Sequence, residues 1–276
     1  MLKLIATDMD GTLLNNNHEM PMRTFEIIDQ LHERGITFAV ATGRGHHSIL
    51  KIYDKIKDDI VMITNNGAII IDKGEIIAAQ FLPRIIAQEI VEAIQNLPKV
   101  SLMVKGIDSA YFFGEDILAT IPTEILDDHF PKHTVVNGFA DIPTDDEIVQ
   151  IVVYDPDCDP EKNARIPLLQ FEDNATLAVS GDYWLDIMAK NINKGNALAQ
   201  LQEMLDANPD ETMVFGDQMN DYELMQSAYY SYAMDNAVEP IKAVANFVAP
   251  SNEDEGVIKI IENFLAMTAE LNTKNT

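Results

Sequence analysis

The sequence predicts an α/β protein: a doubly wound core around a parallel sheet, split by an inserted α+β segment. Three observations predict it. Short apolar runs alternate with helically spaced stripes over the first 80 residues, and the same alternation returns after residue 190. Between about Pro83 and Asp182 the order changes to helix, strand, strand, helix, strand, helix, strand. Apolar runs that alternate with helices are buried on both faces, as parallel strands are. A chain of 276 residues has room for one large or two medium domains.

In order, Lys3 to Thr7 reads as the first strand. Met22, Phe25, Ile28 and Leu31 recur at helical spacing, and Gly35 can end that helix. Ile36 to Ala41 is the second strand and "DIVMITNNGA" carries the third. "AIIIDKGEIIAA" reads as a hairpin turning at Asp72, Lys73 and Gly74. After the insertion, Ala197, Leu198, Leu201, Met204 and Leu205 line one helix face. "TMVFGD" is then a buried strand, "NDYELMQSA" a helix, "YYSYAM" a strand and "GVIKIIENFLAM" a closing helix. The expected organisation is a Rossmann-like core of residues 1–82 and 183–276 with 83–182 inserted as a cap. Leu82-Pro83 and Gly181-Asp182 are the crossing points.

Nineteen basic residues against 45 acidic ones give a net charge of −26, which opposes binding to nucleic acid or to an anionic membrane. An anionic substrate therefore needs a local positive site. A lone cysteine, Cys158, excludes an internal disulfide and suits a reducing compartment. The apolar opening "MLKLIA" is cut short by Asp8, so no export signal is expected, and no apolar stretch reaches the ~18 residues of a membrane span. A cytoplasmic protein is expected.

Open parallel sheets bind ligands beyond the carboxyl ends of their strands. "DMDGT", "TGR", "NNGA" and "GDQMND" stand at four such ends, and "NINKG" places Lys194 at the start of a helix. Asp8 and Asp10, one residue apart, would face one spot if the first strand continued through them, and so demand a positive partner. Asp8, Asp10, Asp217 and Asp221 concentrate more negative charge than a dry cleft tolerates unless a divalent cation joins them. Mg²⁺ suits all-oxygen donors and completes its shell with phosphate oxygen, and no His or Cys cluster competes as a softer site. A phosphate would also meet the Thr42 hydroxyl, backbone N–H groups around Gly43, and Lys194. Asp8 can attack phosphorus to form an aspartyl-phosphate, while Asp10 protonates the leaving oxygen and later deprotonates water. Arg44 and Asn66 are candidate phosphate or substrate contacts, although Asn65 and Asn66 equally suit an Asx turn.

These motifs, in this order and approximate spacing across essentially the whole chain, resemble the haloacid dehalogenase-like phosphatase superfamily, in its Cof-like branch with a large α/β cap. The resemblance implies Asp8 as nucleophile, Asp10 as acid-base, and Thr42 and Lys194 as phosphate binders. It implies Asp8, Asp217 and the Asp10 carbonyl as Mg²⁺ ligands, with Asn220 and Asp221 supporting the metal and Lys194. Two positions depart from the family, which commonly has glycine at Asn191 and Asp235; Asn and Asp are the residues that best replace glycine at positive φ. The implied activity is Mg²⁺-dependent hydrolysis of small phosphorylated metabolites such as sugar phosphates, nucleotides or phosphorylated cofactors. A phosphomutase or phosphotransferase, a receiver-type domain and a silent phosphate-binding protein are the rival readings. "DPDCDPE" lacks the glycine and late glutamate of a calcium loop and reads as an acidic surface loop. "NAT" at Asn174 matches a sugar-attachment sequon without an export signal. Neither His46-His47 nor His129 with His133 forms a zinc motif, and Trp184 is expected to pack near the crossing point.

Overall fold

The computed structural model describes residues 2–114, 126, 130, 132–180 and 182–274. Along the chain run β1 (Leu4–Thr7), α1 (Arg23–His32), β2 (Thr37–Ala41), α2 (His46–Ile52), β3 (Val61–Thr64), β4 (Ile69–Asp72), β5 (Glu75–Ala79) and α3 (Arg84–Ile94). Then come β6 (Ser101–Gly106), β7 (Ala110–Phe113), β8 (His133–Val136), β9 (Ile148–Tyr154), β10 (Ala175–Ser180) and β11 (Trp184–Ala189). The chain ends with α4 (Lys194–Met204), β12 (Thr212–Gly216), α5 (Tyr222–Gln226), β13 (Tyr230–Met234), α6 (Glu239–Val244), β14 (Phe247–Ala249) and α7 (Gly256–Lys274). Contacts separate these into two compact units, one of residues 1–42, 55–62 and 194–276, the other of 43–54 and 63–193.

In the first unit the strand order is β14-β13-β12-β1-β2, followed by β3, and the pairs from β14 to β2 are all parallel. Every residue of β1 and β12 is buried, because helices cover both faces of the doubly wound sheet. Helix α1 buries Thr24, Ile27, Ile28 and Leu31. Met22 of the expected stripe lies before the first turn and is 79% exposed.

The second unit holds the β4–β5 hairpin, which turns at Lys73 and Gly74 with φ of 49° and 76° as the sequence indicates. It also holds a six-stranded sheet in the order β10-β11-β9-β6-β7-β8, antiparallel except where β7 meets β8. Helix α3 buries Ala87, Ile90, Val91 and Ile94 in a core with Leu102, Val104, Ile151 and Val153. Each of its larger aliphatic side chains contributes about 1.5–3 kcal/mol by leaving water. The alternate strand positions, Met103 and Phe112, belong to a second cluster with Phe130, Val152 and Tyr154, against which Trp184 packs.

Two features of the insertion differ from expectation. Two strands, β8 and β9, stand where one was expected. The sheet also runs past the expected crossing point: Asp182 and Tyr183 form a turn, and β11 pairs with both β10 and β9. A Gly-Asp pair marks a hairpin turn as readily as a domain boundary, and the apolar alternation of β11 satisfies the second sheet. Gly181, His129 and most of the segment where the cap's second helix was expected lie outside the described residues. Among the described residues no helix is long and apolar enough to cross a membrane.

Candidate active site

Parallel strands end on the same side, so the residues just beyond β1, β2 and β12 come together. Asp8 follows β1 directly, and its N–H donates to the Phe215 carbonyl of β12 at 3.0 Å. Thr42 follows β2 and is buried; Asp217 follows Gly216 at the end of β12. Oxygens of Asp8, Asp217 and Asp221 lie within 4.8 Å of one another, and all three residues are buried. Lys194, the first residue of α4, is fully buried and donates from Nζ to Asp8 Oδ1 and to Asp221 Oδ1, each at 2.6 Å.

Local packing dictates these positions. Gly11 has φ of +76°, and a Cβ there would stand 2.5 Å from Asp217 Oδ2, so only glycine lets the loop after β1 approach this carboxylate. Thr12 on that loop donates its hydroxyl to Asp217 Oδ1 at 2.9 Å. A Cβ at Gly195 would meet the Glu223 backbone at 2.5 Å. That close approach of α4 to α5 is what puts Lys194 beside Asp221. Asp221 braces the loop after β12 as well, because its Oδ2 accepts the N–H groups of Asp217 and Gln218 at 3.0 and 3.1 Å.

Three carboxylates thus share one ammonium. Burial pushes Asp8 well above the ordinary carboxylate range; Lys194 opposes the rise, and the charges of Asp221 and Asp217 add to it. Burial, then Asp221, pushes Asp217 up to about 7, against the Thr12 hydrogen bond and Lys194. Burial alone would lower Lys194, but Asp221 and Asp8 outweigh it and hold the ammonium above its ordinary value. Converging buried oxygens, short of positive charge and without nitrogen or sulfur among them, fit a hard divalent cation.

Asp10 stands differently from expectation. The strand stops at Thr7, and the chain turns through Asp10 at φ −76°, ψ 123° into Gly11. The two opening carboxylates therefore do not converge: Asp8 is buried beside Lys194, whereas the Asp10 side chain is 37% exposed with Oδ1 3.2 Å from His18 Nδ1. Asn220 sits half-buried in the turn Met219–Asp221.

Gly43, Arg44, Asn65 and Asn66 fall in the second unit. Asn65 N–H donates to the Arg44 carbonyl at 2.9 Å, and a Cβ at Gly43 would lie 3.1 Å from Asn66 Oδ1. Both asparagines have positive φ, as a turn requires. Their amides also reach the second sheet, Asn65 donating to Gln150 at 3.0 Å and Asn66 to Asp186 at 2.7 Å. Asn191 has φ of 65°, in keeping with a glycine-like position, while Asp235 is not among the positive-φ residues.

The structure adds three residues to those the sequence points to. Thr12 stands inside "DMDGT" and Asn236 directly after Asp235 in "AMDNA", both without an expected role, and His18 belongs to no motif. Asn236 donates to the Gly11 carbonyl at 2.8 Å and so fixes the loop after β1. Its neighbour Asp235, where the family commonly has glycine, marks the stretch but not this bond.

A family model described as haloacid dehalogenase-like hydrolase matches residues 5–261. The 5-amino-6-(5-phospho-D-ribitylamino)uracil phosphatase YbjI of Escherichia coli K12 is 28% identical over 96% of each chain. The HMP-PP phosphatase of Citrobacter koseri is 31% identical over 88% of each. The crystal structure of SMU.1108c from Streptococcus mutans superposes with a TM-score of 0.87 at 31% identity, covering 96% of this chain and all of that one. With the doubly wound sheet and the acidic group around Lys194 in place, the chain belongs to the haloacid dehalogenase-like hydrolase family.

Proposed function

We propose that the chain is a Mg²⁺-dependent phosphatase that hydrolyses phosphoric monoesters of small metabolites through an aspartyl-phosphate at Asp8. The observation that carries this reading is the buried Asp8–Lys194–Asp221 arrangement with Asp217 beside it, an anionic site with a single internal counter-ion. The substrate class follows the phosphatase names of the relatives.

Lys194 holds Asp8 Oδ1 and leaves the carboxylate's other oxygen as the attacking atom. That oxygen bonds to phosphorus as the bond from phosphorus to the leaving oxygen breaks, and Asp10 gives the leaving oxygen its proton. Asp10 then takes a proton from water, whose oxygen attacks phosphorus and breaks its bond to Asp8, releasing inorganic phosphate. To do this, Asp10 turns its part-exposed side chain away from His18. The Thr42 hydroxyl binds a phosphoryl oxygen, and N–H groups around Gly43 and the Arg44 side chain assist. Asp8, Asp217 and the Asp10 carbonyl would hold Mg²⁺, with Asn220 and Asp221 in support, and the cation would neutralise phosphoryl charge. The inserted segment, expected at 83–182 and carried to Ala189 by β11, reads the leaving group. Asn66, tied to β11 through Asp186, belongs to that part. The protein works in the cytoplasm on diffusible substrates.

The test is phosphate release from a panel of sugar phosphates, nucleotides and phosphorylated cofactors, with and without Mg²⁺ and with Asp8→Asn as blank. Wild type is expected to release phosphate only with the cation, and the variant to lose on the order of a thousandfold or more in kcat while keeping its fold. Turnover by Asp8→Asn near the wild-type rate would end this reading. Transfer of the phosphoryl group to a sugar instead of water would replace it with a mutase.

A further inference from the structure

Outside the acidic centre the second unit contains a pocket of its own. Among the described residues it is lined by Lys105, Lys132, His46, His47, Asn65 and Ser109, with others, and by no acidic residue. In a chain with 45 acidic residues against 19 basic ones, two lysines and no carboxylate among the described lining residues are a local reversal of charge.

Lys105 makes the reversal specific. It lies on β6 opposite Ala110 of β7 and Gln150 of β9, and it is 8% exposed. Among the described residues its Nζ has no hydrogen bond or ion pair; it stands over the Phe130 ring, 5.2 Å from the centroid. The carboxylates whose fields reach this region bond to other groups. Asp186 accepts from Asn66 and Ser180, and Asp146 accepts from the Tyr111 hydroxyl and the Asp108 N–H. Burial, joined by Arg44, lowers the lysine's pKa against the pull of Asp186. A buried ammonium without an acceptor is costly, so its retention beside the buried Met103 of its own strand and Phe112 of β7 calls for a partner from outside.

We propose that this pocket binds an oxyanion carried by the leaving group, a carboxylate or a second phosphate, with Lys105 as its counter-ion. The phosphatase's substrates are then small metabolites bearing an anionic group apart from the phosphate that is removed. This naming of the substrate class rests on the function proposed above. The tie to the reaction is covalent: Gly45, a wall of the pocket, follows Thr42 by three residues, a reach of at most about 11 Å of chain.

The test uses matched pairs of monophosphates of stepped chain length, each pair ending in a carboxylate or in a neutral hydroxymethyl group, with a bisphosphate as a third arm. Wild type should favour an anionic member over its neutral partner by about tenfold or more in kcat/KM at one chain length. The carboxylate and bisphosphate arms tell which oxyanion the pocket prefers. Lys105→Gln should erase that preference while neutral members are hydrolysed as before, Lys105→Arg should restore part of it, and the melting temperature of Lys105→Gln should not fall. Equal use of both members by wild type, or equal loss on both in Lys105→Gln, would overturn the assignment. If no ester is turned over at all, the phosphatase reading fails separately. Calorimetric titration of the same carboxylate and hydroxymethyl compounds into wild type and Lys105→Gln still decides the pocket, since unchanged binding in the variant refutes it.

Discussion

Replacing Lys194 with methionine removes the single ammonium held between Asp8 and Asp221 while keeping most of the side-chain volume. Both hydrogen bonds are 2.6 Å long and both partners are buried, so water reaches the stranded carboxylates poorly. Removing one member of such a buried group costs about 3–5 kcal/mol. The site's own chemistry sets a similar ceiling. A carboxylate of ordinary pKa 3.8 can escape the repulsion by taking up a proton, at a cost near pH 7.5 of about 5 kcal/mol. The expected loss for Lys194→Met in metal-free buffer is therefore about 3–5 kcal/mol, growing with pH because proton uptake becomes harder. Urea unfolding followed by circular dichroism at two pH values measures it, and Mg²⁺ should return part of the loss by binding only the folded acidic site. A loss below about 1 kcal/mol, the level of an exposed ion pair, or one that shrinks as pH rises, would show that the carboxylates are hydrated and that Lys194 is not their counter-ion.

Two further outcomes follow from geometry and burial. Gly11→Ala forces a side chain into φ of +76° and onto Asp217 Oδ2; it should cost at least about 1–2 kcal/mol and weaken Mg²⁺ dependence measured by activity titration, whereas an unchanged metal requirement would mean the loop does not set Asp217. His46 is pushed down to about 4, by burial first and then by His47 and Lys105, against the Ile107 carbonyl and Asp146. It is neutral in the fold while the unfolded chain takes a proton below about 6.5. Its stabilising contribution is thus complete above that pH and is lost as pH falls through about 4. Thermal melts of wild type should fall more steeply over this window than those of His46→Leu, and parallel curves would refute the burial of a neutral imidazole.

The sequence is most legible where one local rule decides the outcome. Apolar runs of four or five residues followed by Asp or Thr are buried parallel strands with polar ends, and the positions of Asp8, Thr42 and Asp217 follow from that, while Lys194 stands at a helix start. Asp10 departs from expectation because period-two alternation does not extend past Thr7, where the strand stops. Beyond the strand end, Gly11 at positive φ turns the chain further. Helices α2 and α6 and strand β14 are too short for a periodic signal, at seven, six and three residues. Lys105 is invisible for another reason. In "SLMVKGIDS" a lysine near a strand end reads as a solvated edge, and only the folded sheet shows that β9 and β7 flank it on both sides.

Lys194 and Lys105 are both buried lysines in a chain of net charge −26, and their ionisation moves in opposite directions. Burial lowers each of them alike, so burial does not explain the difference. Lys194 is answered within hydrogen-bond distance by Asp8 and Asp221, carboxylates whose own repulsion it relieves; its charge is consumed by the fold and the centre stays anionic. Lys105 stands near Asp186 without a hydrogen bond or ion pair to it, while Asn66 and Ser180 donate to that carboxylate's Oδ2, and its charge is left over. A strongly acidic protein that binds an anion must leave positive charge uncompensated somewhere. The two sites meet that need in different ways. On the proposed function the acidic centre would take up a cation from solution before phosphate approaches, whereas the pocket in the second unit would supply its own positive charge from Lys105.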